Sequence, residues 1–554
     1  MADPSKLVQP QMVCPHCWHN FYADGAYFIS RHAELKGDSV LGPFENRRFA
    51  PHEVKHERDG SKRDSKGWEM LERACPMCHL QIPPELLNRK PFFVSVVGAP
   101  RAGKTYFLAS MIHWLRKELA KEFGYSFNDS DSHEVRAFQE YEKTLFFSAN
   151  PSEPTYLSKT EEHGSLYNLV RLDGVEVQLP KPFIFSLRPT EANPDASKSG
   201  TTLHGSVVLY DNAGESFEPL KEKEGNVRVT QHLAESDAVL FTFDPLQDPS
   251  ARMKLQAASQ DPQLGRAAIS NRQETILSEV INRMRRYSDR PEHKKLRPLL
   301  GVCVQKYDVW KSLLPHVRSE SLDGDRQWSI DHTSVEFSSR HGIAGLDIEE
   351  INRISLLVRS FINDINPQFV ALAESNFKVV RYFPVSALGV SPEVDPVDAQ
   401  SSLLKVRPIN LQPFRVTHPM LWLLQRWKFI RTARKATDDS QKYPHMILRE
   451  VVDGKMRLSS PSSGRVLNLD LEYAGSTIID PSSGEIVWVP PIEKSNDNSD
   501  PTKRESSTDA AGSHAKQVTN PPPLPTSSPQ RVEDPAAFKL GQTAPRPKKG
   551  WFRK

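Results

Sequence analysis

One short segment combines glycine, lysine and threonine at the spacing of a phosphate-binding loop. It reads Gly98, Ala99, Pro100, Arg101, Ala102, Gly103, Lys104, Thr105, which fits the P-loop pattern G-x-x-x-x-G-K-[ST]. Glycines let backbone N–H groups curl around phosphate oxygens, the Lys104 amine can reach the β- and γ-phosphates, and the Thr105 hydroxyl can ligate Mg²⁺. We expect phosphate binding here, and the alternative is a glycine turn that holds no nucleotide.

A second motif follows an apolar run and can serve the same phosphates. Val207–Tyr210 is followed by Asp211, Asn212, Ala213, Gly214 and Glu215. An aspartate at a strand end can hold a water on Mg²⁺, and the Gly214 N–H can meet the γ-phosphate and release it after hydrolysis. The candidate catalytic residues are Lys104, Thr105, Asp211, Gly214 and Glu215. Of these, Thr105 and, through water, Asp211 are the expected Mg²⁺ ligands.

Two further motifs fit the recognition of guanine. They are Lys306 and Asp308, just after Leu299–Val304, and Ser386 and Ala387, at the end of Val379–Val385. The Asp308 carboxylate can accept hydrogen bonds from N1–H and N2–H of guanine, a donor pair that adenine lacks. The Lys306 stem can cover the base, and a backbone N–H of the Ser-Ala pair can donate to O6. Guanine is therefore the expected base.

Four of the five cysteines fall in two Cys-Pro-x-Cys pairs, Cys14 with Cys17 and Cys75 with Cys78. Two tight turns with two thiolates each can close a tetrahedral S₄ site that suits Zn²⁺. The pairs are separated by 57 residues, and the polar stretch from about Lys36 to Lys66 is interpreted as an inserted loop that explains this length. Such a zinc is structural and carries no catalysis, and the alternative is four unmetallated thiols. The nearby His16, His19 and His79 are expected not to be ligands, and Cys303 is expected to be a buried thiol.

In this order, the P-loop, Asp-x-x-Gly, Lys-x-Asp and Ser-Ala motifs resemble the translation-factor-like class of P-loop GTPases over about residues 91 to 436. The cysteine pairs, the enlarged spacings and the form of the Asp211–Glu215 motif look most like bacterial double-GTPase proteins. In those proteins two unlike GTPases are encoded together in signalling or conflict systems. The resemblance implies a switch that binds GTP and GDP, hydrolyses GTP and acts with a protein partner such as a second GTPase.

Two residues depart from the GTPase pattern. Gln305 stands where the family usually has Asn or Thr, which alters a contact that steadies the base and the P-loop. Glu215 stands where many such switches have a water-orienting glutamine, so we expect slow intrinsic hydrolysis, with an arginine supplied by a partner or a second protomer. Two alternatives stay open: a P-loop ATPase or kinase-like enzyme, which Gln305 favours, and a scaffold that binds nucleotide without hydrolysing it.

The elements that must position these motifs follow from apolar periodicity. Apolar runs alternate with helical segments, a pattern typical of an α/β fold with a mostly parallel sheet covered by helices on both faces. The predicted strands are Phe92–Val97, Phe183–Leu187, Val207–Tyr210, Ala238–Phe243, Leu299–Val304 and Val379–Val385. The predicted helices are Thr105–Phe123, Glu274–Tyr287, Ile348–Ile365 and Met420–Ala433, the last with Trp422 and Trp427 as core anchors.

Two smaller questions concern loops near the phosphates. The Mg²⁺-sensing switch threonine stays open among Thr155, Thr160, Thr201 and Thr202. Asp244 directly follows Ala238–Phe243 and is expected to cap a turn rather than contact the nucleotide.

Composition divides the chain into four predicted regions. They are a zinc ribbon with an inserted loop (1–90), a P-loop GTPase domain (91–436), a small β module (437–490) and a disordered tail (491–554). Insertions near 125–180 and 311–345 are expected to form partner-specific surface. In the β module, Pro461–Gly464 and Pro481–Gly484 repeat Pro-Ser-Ser-Gly and predict two hairpin turns. Residues 545–554 are basic and aromatic, so they either contact an acidic surface or anionic lipid weakly or form a solvated tail.

Overall composition sets the remaining limits. The 554 residues carry 72 Lys and Arg against 69 Asp and Glu, a net charge of +3, so nothing global indicates a nucleic-acid groove. No run approaches the roughly 20 apolar residues of a membrane-spanning helix, and the first residues lack the apolar core of a secretion signal. We expect a soluble, cytoplasmic protein without a transmembrane segment.

Overall fold

The computed structural model describes residues 11–130, 136–157, 167–196, 204–211, 231–265, 272–288, 291, 293–314, 330–331, 336–338, 343–394, 403–433 and 443–492. These residues lie within the unit Met1–Glu493.

The amino-terminal region consists of short strands and one short helix. They are β1 (Gln11–Val13), β2 (Asn20–Tyr22), β3 (Tyr27–Ile29), β4 (Lys36–Asp38), β5 (Gly42–Asn46), β6 (Arg48–Phe49), β7 (Lys55–His56), β8 (Lys62–Arg63), β9 (Arg73–Ala74), β10 (Gln81–Ile82) and α1 (Pro84–Asn88). Strands β1 and β2 pair, and β10-β9-β3-β6 form an antiparallel sheet. The segment predicted as an inserted loop contains the β4–β5 and β7–β8 hairpins, and its Phe49 and Val54 bury themselves against Phe28 and Met70.

The central part alternates strands and helices. They are β11 (Phe92–Gly98), α2 (Lys104–Glu122), β12 (Tyr125–Asp129), α3 (Arg136–Phe146), β13 (Tyr167–Leu172), β14 (Val175–Pro180), β15 (Phe183–Pro189), β16 (Gly205–Asp211), α4 (His232–Glu235), β17 (Ala238–Phe243), α5 (Pro249–Gln256), α6 (Gln273–Ser288), β18 (Leu299–Val304), α7 (Tyr307–Trp310), β19 (Glu336–Ser338), β20 (Ala344–Leu346), α8 (Ile348–Ile365), α9 (Pro367–Asn376), β21 (Val380–Pro384), β22 (Glu393–Val394), β23 (Leu404–Lys405) and α10 (His418–Arg426).

The main sheet has the order β12-β15-β16-β11-β17-β18-β21. The last five strands of this order run parallel, whereas β15 is antiparallel to β16 and β12 is antiparallel to β15. The predicted α/β class is confirmed, and the sheet is mixed rather than wholly parallel. The carboxyl ends of the five parallel strands meet at one edge, which is where open α/β sheets bind ligands.

Burial explains why these runs form strands. Every residue from Phe93 to Val97 in β11 is inaccessible to solvent, as expected for a strand covered on both faces. The predicted helix Ile348–Ile365 is confirmed as α8. The Asp347 carboxylate accepts from the Glu350 N–H at its start, and Pro367 begins the next helix after Asn366.

Part of the segment 125–180 is core, which contradicts its prediction as partner-specific surface. Strand β12 forms the edge of the main sheet, and Tyr125, Phe127 and Phe138 are each at most 1% exposed. Large apolar side chains that complete a sheet edge bury more surface against the sheet than they would in a projecting loop. Most of the other predicted insertion, residues 315–329, 332–335 and 339–342, lies outside the described residues.

The carboxyl-terminal part contains β24 (Ile447–Val452), β25 (Lys455–Ser459), β26 (Val466–Asp470), β27 (Thr477–Ile479) and β28 (Ile486–Trp488). Both predicted Pro-Ser-Ser-Gly hairpin turns are confirmed, because they connect β25 to β26 and β27 to β28. Their small core packs on α8 through Leu356. Helix α10 ends at Arg426 instead of continuing to Ala433, because Lys428 is left-handed at φ 68°.

Two core predictions concern single residues. Trp422 is buried in the main core, and Trp427 is half-buried and stacks on Phe92 at 4.4 Å between ring centroids. Cys303 is fully buried, as predicted. Among the helices in the described ranges, none is both long enough and apolar enough to span a bilayer. The predicted tail, including 545–554, lies outside those ranges.

Candidate functional site

The P-loop segment connects β11 to α2. Its glycines stand at positions where the backbone has a positive φ angle. Gly98 has φ 154°, and a Cβ there would lie 2.1 Å from Thr242 Oγ1, so only glycine allows β11 to approach β17 at this point. Arg101 at φ 62° and Gly103 at φ 84° are left-handed, and Gly103 immediately precedes α2. The loop therefore leads straight into a helix amino terminus, where backbone N–H groups lack helical partners.

Lys104 is folded back over this loop. Its amine donates to the carbonyl oxygens of Gly98 at 3.2 Å and Ala99 at 2.9 Å, and the side chain is buried. The Lys104 charge is thus held inside the loop.

At the next strand ends, Asp308 and Ser386 contact each other. The Ser386 hydroxyl donates to Asp308 Oδ1 at 2.5 Å and accepts from the Gly389 N–H at 2.8 Å. Burial raises the pKa of Asp308, and the hydrogen bond from Ser386 opposes that rise. The two elements that the sequence singled out for base recognition thus form one hydrogen-bonded unit.

Lys306 lies beside this unit in a left-handed conformation at φ 61°. Its amine pairs with Asp244 Oδ2 at 2.6 Å. Asp244 also accepts from the Leu246 N–H, so its predicted role as a turn cap is confirmed. The ion pair with Lys306 is an additional role that no sequence motif indicated.

A cavity of about 330 Å³ connects these motifs. Its walls include residues 100–105 of the P-loop, then Gln305, Lys306 and Asp308, then Ser386 and Ala387. An apolar wall closes one side and comprises Tyr106, Tyr156, Leu157, Leu388, Val390, Pro392, Leu403, Leu404 and Val406. The volume lies within the range of about 300–1,000 Å³ that is typical of small-molecule sites.

Some predicted residues lie elsewhere. Asp211 ends β16, where its register partner on β11 is Val96, and it does not line this cavity. Gly214 and Glu215 lie outside the described residues, as do Thr160, Thr201 and Thr202. Thr155 pairs with Val406 through two backbone hydrogen bonds of 2.8 and 2.7 Å, beside the apolar wall.

Two residues without a sequence motif join the site. Gln247 donates from Nε2 to the Pro100 carbonyl at 3.0 Å, which ties the P-loop to the turn after β17. Asp261, in the loop that follows α5, also lines the cavity. Gln247 and Asp261 both lie between β17 and α6, outside the four sequence motifs.

Gln305, the departure from the GTPase pattern, is buried and lines the same cavity. Its backbone carbonyl accepts from Trp310 Nε1 at 2.8 Å. Its side-chain Nε2 has no hydrogen-bond partner within the described part of the chain. A buried amide N–H without a partner is costly, so a ligand acceptor here would be stabilising.

The four predicted zinc ligands come together in the amino-terminal region. The sulfur atoms of Cys14, Cys17, Cys75 and Cys78 all lie within 4.8 Å of one another, with 3.8 Å between Cys14 and Cys78 and 3.6 Å between Cys17 and Cys75. Tetrahedral zinc with Zn–S bonds of about 2.3 Å requires S···S distances of about 3.8 Å. Four thiols at this spacing fit a metal ion such as Zn²⁺.

The two cysteine turns share one backbone pattern. Cys14 N–H donates to His19 O and Cys75 N–H donates to Leu80 O, each at 3.0 Å. In addition, the N–H groups of His16 and Met77 point at the sulfurs of Cys14 and Cys75 at 3.4 and 3.3 Å. N–H groups aimed at sulfur stabilise thiolates, which are the form that binds metal.

The neighbouring histidines have other partners. His16 Nε2 lies 3.0 Å from Gln81 O, and His79 Nδ1 lies 2.9 Å from the Asp38 carboxylate. His16 and His79 thus contact groups other than the four cysteine sulfurs.

No protein-family model and no curated protein sequence matches the chain. Among solved structures, the chain is similar to translation elongation factor SelB from Methanococcus maripaludis in complex with the GTP analogue GppNHp. The sequence identity is 10% and the TM-score 0.19, and the match covers 68% of this chain and 41% of that chain. At such a TM-score the interpretation of the cavity depends on the chain's own residues.

Proposed function

We propose that this chain is a molecular switch that binds GTP and GDP and hydrolyses GTP slowly. The observation that supports it best is the 2.5 Å hydrogen bond between Ser386 and Asp308, in the cavity that the P-loop also lines. A P-loop alone predicts only phosphate binding. A half-buried carboxylate that lines the same cavity adds a preference for a base with an N–H donor edge.

The charges that line the cavity match those of a guanine nucleotide, with positive charge for the phosphates and a carboxylate for the base. The P-loop end carries Lys104 and a helix amino terminus, which favour phosphate. Lys306 pairs with Asp244, and Asp308 is a further carboxylate that lines the cavity and can accept hydrogen bonds from a base. Guanine presents N1–H and N2–H there, whereas adenine presents an acceptor at N1.

The proposed roles follow from this arrangement. The P-loop amides and Lys104 bind the phosphates, Asp308 reads the base, and the Lys306 stem covers it. Because the Ser386 N–H already donates to Phe414 O at 3.0 Å, we assign the donor to guanine O6 to the Ala387 N–H.

For magnesium, Thr105 and Asp211 offer a hydroxyl and a carboxylate on adjacent elements of the sheet edge, a donor set that suits Mg²⁺. When bound, the ion would neutralise charge on the phosphates. Gly214 and Glu215 are proposed as the γ-phosphate sensor and the altered water-orienting position. Glu215 is the reason for the proposed slow rate.

A P-loop ATPase is the second candidate, and the buried Gln305 favours it because Gln departs from the guanine-reading pattern. Binding decides between the two. Nucleotide-stripped protein is titrated with labelled GDP and GTP in Mg²⁺, in competition with ATP and XTP. Preference for guanine that shifts toward xanthine in Asp308→Asn supports the switch. Equal competition by ATP, unaffected by the substitution, supports the ATPase.

Slow hydrolysis and a partner are tested separately. Single-turnover GTP hydrolysis is measured across a range of protein concentrations, with Lys104→Ala as the background control. A rate that rises with concentration supports a second protomer as the arginine donor, and a fast rate at all concentrations contradicts the role proposed for Glu215. Recovery of a second GTPase with the protein from its native host would support the double-GTPase proposal, and none recovered would count against it.

A further inference from the structure

We propose that Asp261 is a second carboxylate that recognises the nucleoside. It accepts a hydrogen bond from the proton of the guanine exocyclic amine that is not bonded to Asp308. This inference rests on the proposed nucleotide-binding function. It assigns a specificity role to a residue outside the four motifs.

The loop that carries Asp261 is held firmly. Its Oδ1 accepts from the Gln263 N–H at 2.7 Å, and its backbone carbonyl accepts from the Leu264 N–H at 3.0 Å. Arg252 of α5 donates to the carbonyl oxygens of Gln263 and Leu264. Leu264 is buried in the main core. These contacts fix the direction of the Asp261 side chain before any ligand binds.

Asp261 is buried, and one of its carboxylate oxygens lacks a hydrogen-bond donor among the described residues, which points to a ligand. The residue is 4% exposed and lines the cavity, yet Oδ2 has no hydrogen-bond partner among the described residues. A buried carboxylate oxygen without a donor costs free energy, and a ligand N–H or O–H would remove that cost. Asp261 and Asp308 line the same cavity, and the charge of Asp261 raises the pKa of Asp308.

The chemistry of guanine supplies the missing donor. Its Watson–Crick edge carries one proton on N1 and two on the exocyclic amine, and a bidentate carboxylate such as Asp308 takes one from each. The second amine proton remains for Asp261. A ribose hydroxyl is the other nucleoside donor of the same chemistry, and the experiment separates the two sources.

The test uses the full chain and Asp261→Asn. With Oδ1 still held by the Gln263 N–H, the new amide N–H₂ replaces Oδ2 and places a donor against a donor. We expect GDP affinity to fall by about ten-fold or more, as for a lost charge-assisted hydrogen bond. Asp173→Asn, at an exposed turn, is the matched control and keeps wild-type affinity. Asp261→Ala, with a thermal unfolding curve, separates loss of affinity from loss of fold.

The same titrations are repeated with IDP, which lacks the amine, and with 2′,3′-dideoxy-GDP. If Asp261→Asn costs affinity for GDP but not for IDP, the amine is the donor. If the penalty disappears only with the dideoxy nucleotide, a ribose hydroxyl is the donor, and Asp261 still reads the nucleoside. Unchanged GDP affinity in Asp261→Asn, or a penalty equal for all three nucleotides, overturns the inference. A wild-type chain that binds no guanine nucleotide overturns the proposed function itself.

Discussion

The hydroxyl of Tyr210 donates a hydrogen bond to the carbonyl oxygen of Pro15, 2.5 Å away. Pro15 lies in the turn between Cys14 and Cys17, and Tyr210 is the last residue before Asp211. The same hydroxyl accepts from Trp18 Nε1 at 3.2 Å. The cysteine cluster is therefore hydrogen-bonded to the strand that carries a proposed Mg²⁺ residue, across the face of the main sheet where the amino-terminal residues pack.

Removing this hydroxyl should loosen the amino-terminal region. Tyr210→Phe leaves the Pro15 carbonyl and the Trp18 N–H without their partner in a buried setting. We expect the free energy of unfolding to fall by about 1–3 kcal/mol, measured by urea denaturation. Tyr22→Phe, at a position that is 53% exposed, is the control and should have no effect. Equal stability of the two variants would show that the hydrogen bond contributes nothing.

Zinc content tests the cysteine cluster directly. Gently purified protein should contain about one zinc per chain. Cys14→Ser should lose most of it and unfold at a lower temperature, because one of four thiolates is removed. Cys303→Ala removes the thiol that lies outside the cluster, and its zinc content should equal that of the wild type. Far less than one zinc in the wild type would mean that the thiols are unmetallated.

Lys104 should dominate phosphate affinity. Lys104→Ala removes charge-assisted hydrogen bonds to two phosphates, so GTP affinity measured by titration should fall on the order of 100-fold. Lys121→Ala, on the exposed side of the same helix, should bind GTP like the wild type. A small loss of GTP affinity in Lys104→Ala would contradict the assignment of this segment as a P-loop, because Lys104 is the charged side chain proposed to bind the phosphates.

The base-reading residues should act together on xanthine. Asp308→Asn should favour xanthine, which has an oxygen in place of the exocyclic amine. If Asp261 also faces that group, its charge still repels the xanthine oxygen, so the single variant should switch only partly. The double variant Asp308→Asn with Asp261→Asn should bind XDP at least about ten-fold more tightly than Asp308→Asn alone. Equal XDP affinity in the single and double variants would place Asp261 away from the base.

The buried His232 should make the stability of the fold sensitive to acid. It is fully buried, its ring stacks on Tyr210 at 4.5 Å, and its Nδ1 lies 2.6 Å from Ser95 Oγ. Burial lowers the pKa of His232 to about 3 from 6.5. Below pH 6.5, His232 binds a proton in the unfolded chain but not in the folded chain. The free energy of unfolding therefore falls from pH 6.5 toward about pH 3, and His232 does not affect it above pH 6.5.

The slope of that loss is measurable. Between about pH 6 and pH 4, His232 should contribute about 1.4 kcal/mol of destabilisation per pH unit. Urea midpoints of His232→Gln should therefore change less over this range than those of the wild type. His52→Gln, at an exposed position, serves as the comparison and should follow the wild type. Parallel curves for His232→Gln and the wild type would refute this contribution.

The amino-acid pattern by itself determined six of the seven strands of the main sheet, the P-loop motif and the cysteine pairs. Ala238–Phe243, Leu299–Val304 and Ile348–Ile365 have the predicted bounds, because continuous apolar runs and i, i+3, i+4 spacing are local signals. The cysteine pairs were equally predictable, since a tight turn between two thiols is encoded in four residues. The carboxyl ends of parallel strands meet at one edge of a sheet, so motifs that directly follow such strands come together there.

Only the tertiary structure decided what lies between the motifs. The sequence Tyr125–Asp129 is too short and too mixed in polarity to reveal that it forms an edge strand of the main sheet. Asp261 belongs to no motif, because its place beside Asp308 in the cavity lining depends on a loop that Arg252 fixes and on packing between residues distant in sequence. Likewise, the bond from Tyr210 to Pro15 joins residues that only packing brings together. Local patterns encode elements, whereas burial and charge at a site depend on neighbours from elsewhere in the chain.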